Sequence, residues 1–164
     1  MDKSEVARRL RKLYNSLPRF GDGRIDYTNS DVAVVVTVFV VYKGKVLLLK
    51  RSQGVLNYKG LWNGVGGYVD RLVPPEKVAL KEIREELGIK KANVLRVNSG
   101  LAHALTDRKL GRKWIICPFI VEVRRKPAIR LDWENTAYRW VTPSKLKGPD
   151  RVPGLNITFV NANK

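Results

Sequence analysis

Residues 66–89 read GGYVDRLVPPEKVALKEIREELGI, and the way this stretch folds decides the rest of the chain. Two glycines end a strand, a loop carrying Pro74 and Pro75 follows, and a helix begins. Proline at the first helical positions loses nothing, because the N–H it lacks has no partner there, and Glu76 suits the positive end of the helix dipole. Gly88 supplies the left-handed residue that closes the helix. At about 100° per residue, Ala79, Leu80, Ile83 and Leu87 form an apolar stripe for the core. Glu82, Glu85 and Glu86 gather on the adjoining face.

That gathering is costly. Glu82 opposes Glu85 at i,i+3 and Glu86 at i,i+4, and each like-charged pair destabilises a helix by roughly 0.2–0.5 kcal/mol. Lys81 and Arg84 flank the cluster and relieve only part of the repulsion. Carboxylates crowded beside a core-facing stripe are the oxygen donors that a hard divalent cation takes, one or two per ion, with water and phosphate completing its shell. A solvated acidic face is the other reading of a Glu-rich helix. The rest of the chain weighs against it: 32 Lys and Arg stand against 15 Asp and Glu, a net charge of +17. Such a balance suits polyphosphate substrates and RNA alike. A charge-rich surface of the thermophile kind is the bland alternative, in keeping with a single glutamine, Gln53.

The stretch resembles the Nudix box, G-x5-E-x7-R-E-U-x-E-E-x-G-U with U aliphatic. Gly67, Glu82, Ile83, Glu85, Glu86, Gly88 and Ile89 match in register, while Val73 stands where the box has its first Glu and Lys81 where it has Arg. The resemblance implies an α/β (α+β) fold, an α/β/α sandwich about a mixed central sheet. It also implies hydrolysis of nucleoside diphosphates linked to another group, with Mg²⁺ or Mn²⁺. On this basis Glu82, Glu85, Glu86 and the carbonyl of Gly66 are assigned to the metal. Glu82, Glu85, Lys81 and Glu134 are assigned to catalysis, and Arg51, Tyr58 and Gly67 to the substrate. Glu134 precedes a Tyr-Arg-Trp strand, where several branches of the family carry an acidic residue; a salt-bridge partner in a loop is the other reading. Lys81 keeps the charge of the family's arginine without its planar fork.

A chain of 164 residues builds one domain with a real core. One cysteine, Cys117, excludes an internal disulfide and fits a cytoplasmic protein. The longest apolar run, Val32 to Tyr42, is too short to span a membrane as a helix, and no secretory signal is read at the N-terminus. Asp2 to Leu17 reads as a helical arm with Val6, Leu10, Leu13 and Leu17 on one face and Arg8, Arg9, Arg11 and Lys12 on the other. A linker follows, so residues 1–30 are set apart from a Nudix-like domain at 31–164. VAVVVTVFVVY is a buried strand, Lys43-Gly44 a tight turn, and KVLLLKR its hairpin partner. The glycines at 64, 66 and 67 mark a close approach, of a ligand or of packed backbone. Ala92 to Thr106 is one long or broken strand; Lys113 to Val123 is another, whose Pro118 suggests an edge or bulge.

His103 reads as a strand residue and Cys117 as an inert core thiol. Trp133 and Tyr58 are candidates for stacking on a base; Trp114 and Trp140 belong to the core. The tail from Val152 reads as a short, poorly formed helix. The expected partner is a nucleotide polyphosphate: a dinucleoside polyphosphate, ADP-ribose, a nucleotide sugar or an RNA 5′ end. The competing expectation is a catalytically weak Nudix-like module that binds RNA, the ribosome or a nucleotide through its basic surface. No membrane partner is expected, and the oligomeric state is left open.

Overall fold

The run VAVVVTVFVVY forms strand β1 (Val32–Tyr42) in the computed structural model, which describes residues 1–164. Its valines at 34, 36, 38 and 40 enter one apolar cluster, while Phe39 enters another on the opposite face. A strand covered on both faces needs such an unbroken apolar run, because neither side of its pleat meets water. Strand β7 (Arg112–Val123) runs parallel to β1, from Val32 opposite Lys113 to Val41 opposite Glu122.

Each of these central strands divides its outer edge between two partners. β1 takes β4 (Val65–Tyr68) along Val35–Val38 and β2 (Lys45–Arg51) at Val41 and Tyr42. β2 then diverges to pair with β8 (Asn135–Val141) and the short β3 (Trp62–Asn63). β7 pairs in succession with β6 (His103–Asp107) and β5 (Val94–Ser99). The result is one mixed sheet of eight strands. Lys43 and Gly44 both have positive φ, 46° and 73°, and make the tight β1–β2 turn.

Two helices, α1 (Lys3–Ser16) and α2 (Pro75–Leu87), share the larger apolar cluster on one face. A 3₁₀ turn (Pro143–Leu146) and α3 (Leu155–Ala162) cover the other. The molecule is the α/β/α sandwich expected. No helix is long and apolar enough to cross a membrane.

Two local expectations are revised, and one left between alternatives is decided. Pro118 lies inside the central strand β7 rather than at an edge. Its carbonyl accepts the N–H of Gly100, and a strand residue's donor and acceptor point to the same side. The donor it lacks therefore faces the break between β5 and β6, where no ladder bond is forfeited. The Ala92–Thr106 segment is broken at that same place, into β5 and β6. The tail, expected to be poorly formed, is a defined helix that buries Leu155, Thr158 and Ala162.

The first 30 residues are woven into the body of the protein. Val6 and Leu10 of α1 and Ile25 and Tyr27 of the following segment are buried in the larger cluster. The Ile25 N–H donates to the Asp70 carbonyl and the Tyr27 hydroxyl to that of Val69, which ties the segment to the loop after β4.

Candidate active site

Helix α2 is fixed at both ends in the manner its sequence dictates. Pro75 sits in its first turn, and Gly88 (φ 69°) ends it in a double closure: Gly88 N–H to the Arg84 carbonyl and Ile89 N–H to that of Ile83. The buried face consists of Val78, Ala79, Ile83, Glu86 and Leu87. Leu80, expected in the core stripe, is only partly buried, and Val78 takes its place. Glu86 lies on the buried side because its direction falls between those of Glu82 and Ala79 on the helical wheel.

The three glutamates therefore meet three different surroundings. Glu85 is exposed and pairs with Lys81 one turn earlier at 3.2 Å, with Arg84 at 3.9 Å. Glu82 is half-buried and lies across Gly67, where a Cβ would come within 2.6 Å of its Cγ and Cδ. Glu86 is 4% exposed; one oxygen accepts from the side-chain amide of Asn135 at 2.9 Å, and the other has no partner. The sequence grouped them as a single ligand cluster. As the side chains rest in the structure, no three acidic, His or Cys groups surround a common point, so a shared ion would require Glu85 and Glu86 to turn toward Glu82.

Burial governs their ionisation. Desolvation pushes the Glu82 carboxyl up to about 7; Lys81 opposes the rise and the charges of Glu85 and Glu134 add to it. Glu86 is pushed up to about 8 by deeper burial, with the Asn135 amide opposing and Glu134 and Glu82 adding. Glu134 is raised by burial and by Asp132, against Arg51.

A cleft of about 930 Å³ collects nearly all the assigned residues. Gly66, Gly67, Lys81, Glu82 and Glu85 form one side, and Arg51, Tyr58 and Glu134 contribute from the loop side. Glu86 does not line it and lies beneath, against Asn135. The Glu134 loop is held at both ends. The Glu134 carbonyl accepts the Ser52 N–H at 2.7 Å, and its own N–H donates to the Asp132 carboxylate at 3.0 Å.

Tyr58 takes part as a wall rather than as a free ring. Its hydroxyl donates to Asp107 and accepts from the Trp114 indole, and its ring leans on Trp114. Trp133, 69% exposed at the mouth, is the ring left open to stacking. Arg51 donates to the Asn57 carbonyl and so fixes the same loop. His103 contacts Thr158 through Nε2 in strand β6. The Cys117 thiol, pushed up to about 12 by burial, is inert.

Sequence reasoning missed two groups. Asn135 bridges α2 and the Glu134 loop, a pairing across 49 positions that no local spacing announces. Asp22 and Arg24 come from the segment read as a linker. Arg24 pairs with Asp22 at 2.7 Å and Asp70 at 3.6 Å, while Arg71 reaches Asp22 at 3.6 Å, all at the cleft mouth. Paired Asp and Arg within a Gly-rich turn were the only available hint.

Known proteins share this architecture. The family model of the NUDIX domain matches residues 31–159. The MutT NUDIX hydrolase of Burkholderia pseudomallei is 25% identical, with a TM-score of 0.65 over 79% of this chain and 97% of that one. The MutT protein of Methanosarcina mazei Go1 gives 22% identity and a TM-score of 0.67, over 82% of this chain and 95% of that one. The Ap4A hydrolase of C. elegans, at 14% identity and a TM-score of 0.60 over 80% and 94%, shares the fold alone. With the box on its loop and helix and the cleft above it, the chain belongs to the Nudix family of hydrolases.

Proposed function

We propose that this chain hydrolyses the diphosphate linkage of a nucleoside diphosphate derivative with the help of Mg²⁺ or Mn²⁺. The observation that carries the reading is the convergence on one cleft of Glu82 and Glu85 from α2 and Glu134 from the loop before β8. Basic side chains (Arg51, Arg71, Lys77 and Lys81) line the same cleft and suit a polyphosphate chain.

The residues fit a hard divalent cation. The donors are carboxylate oxygens, and the second oxygen of Glu86 is buried without a partner, an arrangement that is costly unless a cation or proton meets it. Glu82, Glu85, Glu86 and the Gly66 carbonyl would hold it. A bound ion of this kind neutralises pyrophosphate charge and acidifies water. The carboxylates themselves supply a proton acceptor: Glu82 on one side of the cleft and Glu134 on the other are the two groups placed to take a proton from water. Both remain candidates for the base. Lys81 orients Glu85 through a single ion pair. Tyr58, fixed by Asp107 and Trp114, shapes the wall, and Trp133 offers a face for a nucleobase.

The test is a panel of dinucleoside polyphosphates, ADP-ribose, nucleotide sugars and 5′-triphosphorylated RNA, each incubated with Mg²⁺ or Mn²⁺. Release of a nucleoside monophosphate or inorganic pyrophosphate from at least one member is expected. No turnover on any member would leave the basic-module alternative standing.

A further inference from the structure

We infer a second site on this protein: a basic surface, at the end of the sheet remote from the cleft, that binds the phosphate backbone of a nucleic acid. The proposal does not depend on the activity assigned to the cleft. It rests on where the chain concentrates charge left over after its own ion pairs are made.

β1 and β7 run parallel, so their C-terminal ends emerge together. The β1–β2 turn brings Lys43 and Lys45 there, and the turn after β7 brings Arg124, Arg125 and Lys126. A third element joins them. Asn93, in the 3₁₀ turn after α2, donates its side-chain amide to the Arg125 carbonyl and accepts the Arg125 N–H, while its carbonyl accepts the Arg124 N–H. This double clasp fixes Lys90 and Lys91 beside the Arg124–Lys126 turn. All seven cations are exposed, and none has an ion-pair partner. The only acidic residue in 41–45, 90–96 and 122–130 is Glu122, already paired with Arg96.

The cleft lies over the middle and N-terminal half of the same strands. It is lined by Val35–Thr37 of β1 and by Trp114 and Ile116 of β7, and the six residue steps from Thr37 to Lys43 span about 20 Å of strand. The Lys43 turn is thus well removed from the diphosphate that Glu82 and Glu85 face, and the basic turns form a surface apart from the cleft lining.

The chemistry of the surface selects its partner. A protein interface takes its affinity from buried aromatic and apolar anchors, and here the only large apolar side chain exposed is Leu95. A phosphate backbone asks only for cations, each releasing condensed counterions. The clasp at Asn93 favours a partner with fixed phosphate spacing, whereas a fluid lipid surface gains nothing from it. The one ring at the turns, Tyr42, is half-buried, set edge-on to Trp140 and covered by Lys43, so it is not free to stack with unpaired bases and a duplex fits better than a single strand.

The test measures binding of fluorescently labelled RNA duplex, RNA single strand and DNA duplex to the full chain across a salt series, with anionic phospholipid vesicles as competitor. With about five phosphates contacted, affinity for the duplex should fall about 500-fold between 50 and 200 mM salt. The variant K90Q/K91Q/R124Q/R125Q/K126Q should lose at least about tenfold in affinity at fixed salt with its melting temperature unchanged. An equal number of charges removed from α1 and its flank, K3Q/R8Q/R11Q/K12Q/R19Q, should cost under about threefold. If the fivefold variant melts early, K90Q/K91Q and R124Q/R125Q should each show part of the loss. Tighter binding of the RNA or of the DNA duplex identifies the source of the backbone. Equal losses from the two fivefold variants would reduce the effect to net charge and overturn the site, as would patch-dependent binding to vesicles tighter than to either duplex.

Discussion

Glu86 is the residue at which sequence and structure diverge most usefully. In the unfolded chain its carboxyl sits near 4.5, and in the fold near 8. A group whose folded pKa is raised contributes stability that is complete below the unfolded value and lost as pH rises through the folded one. Without divalent metal, the melting temperature should therefore fall between pH 5.5 and 8.5, at about 1.4 kcal/mol for each pKa unit crossed. Glu82, raised to about 7, adds in the same direction. Glu86→Gln should flatten the fall and melt above wild type at pH 8.5, as thermal unfolding in EDTA would show. A wild type equally stable at both pH values would contradict it.

Two neighbouring glycines make a second comparison. A Cβ at Gly67 would meet Glu82 at 2.6 Å, whereas at Gly66 the nearest atom, Asn63 Nδ2, is 3.7 Å away. Gly67→Ala should keep the fold and displace the Glu82 carboxylate, lowering kcat by about a hundredfold. Gly66→Ala should cost far less. Comparable losses would mean that Glu82 does not depend on that contact. Lys81 is a third case. It reaches Glu85 as a point charge, so Lys81→Arg should hold that carboxylate better, raise metal-dependent turnover and change stability by under about 0.5 kcal/mol. A slower variant would mean the site has been rebuilt around lysine.

At the scale of elements, the box loop and α2 were legible because their signals are local. Two prolines, a closing glycine and a helical period fix both ends and the orientation. β1 was equally plain, since an unbroken β-branched run has few other uses. The break between β5 and β6 was half-legible, because Pro118, which permits it, sits on a different strand. Least legible was the N-terminal segment. Its glycines and polar residues read as a linker, yet Ile25 and Tyr27 are core and Asp22 and Arg24 reach the cleft. Nothing in a local window records that Ile25 pairs with Asp70. Helix α1 should accordingly behave as part of one cooperative unit. Leu10, 4% exposed, should cost about 2–5 kcal/mol on replacement by Ala, lost from the single main unfolding transition. A separate early transition, with the main one unmoved, would show α1 to be a detachable arm.

Across the whole molecule, charge is unevenly divided. Five carboxylates (Asp22, Asp70, Glu82, Glu85 and Glu134) line the cleft of a protein whose net charge is +17. The family box located two of them from sequence, Glu82 and Glu85; Glu134 came from a looser pattern, and the two aspartates were missed. Substrate choice was beyond reach because the wall opposite α2 is assembled by Tyr58, Trp114 and Trp133 from distant segments. The most direct measurement is the initial rate of diphosphate cleavage, on the best panel substrate, against Mn²⁺ concentration for wild type and Glu85→Gln. Wild type should saturate with metal and stop in EDTA, and Glu85→Gln should run about a hundredfold slower or need far more metal. A rate indifferent to EDTA, or equal in the two proteins, would show that the cleft carboxylates do not perform the reaction.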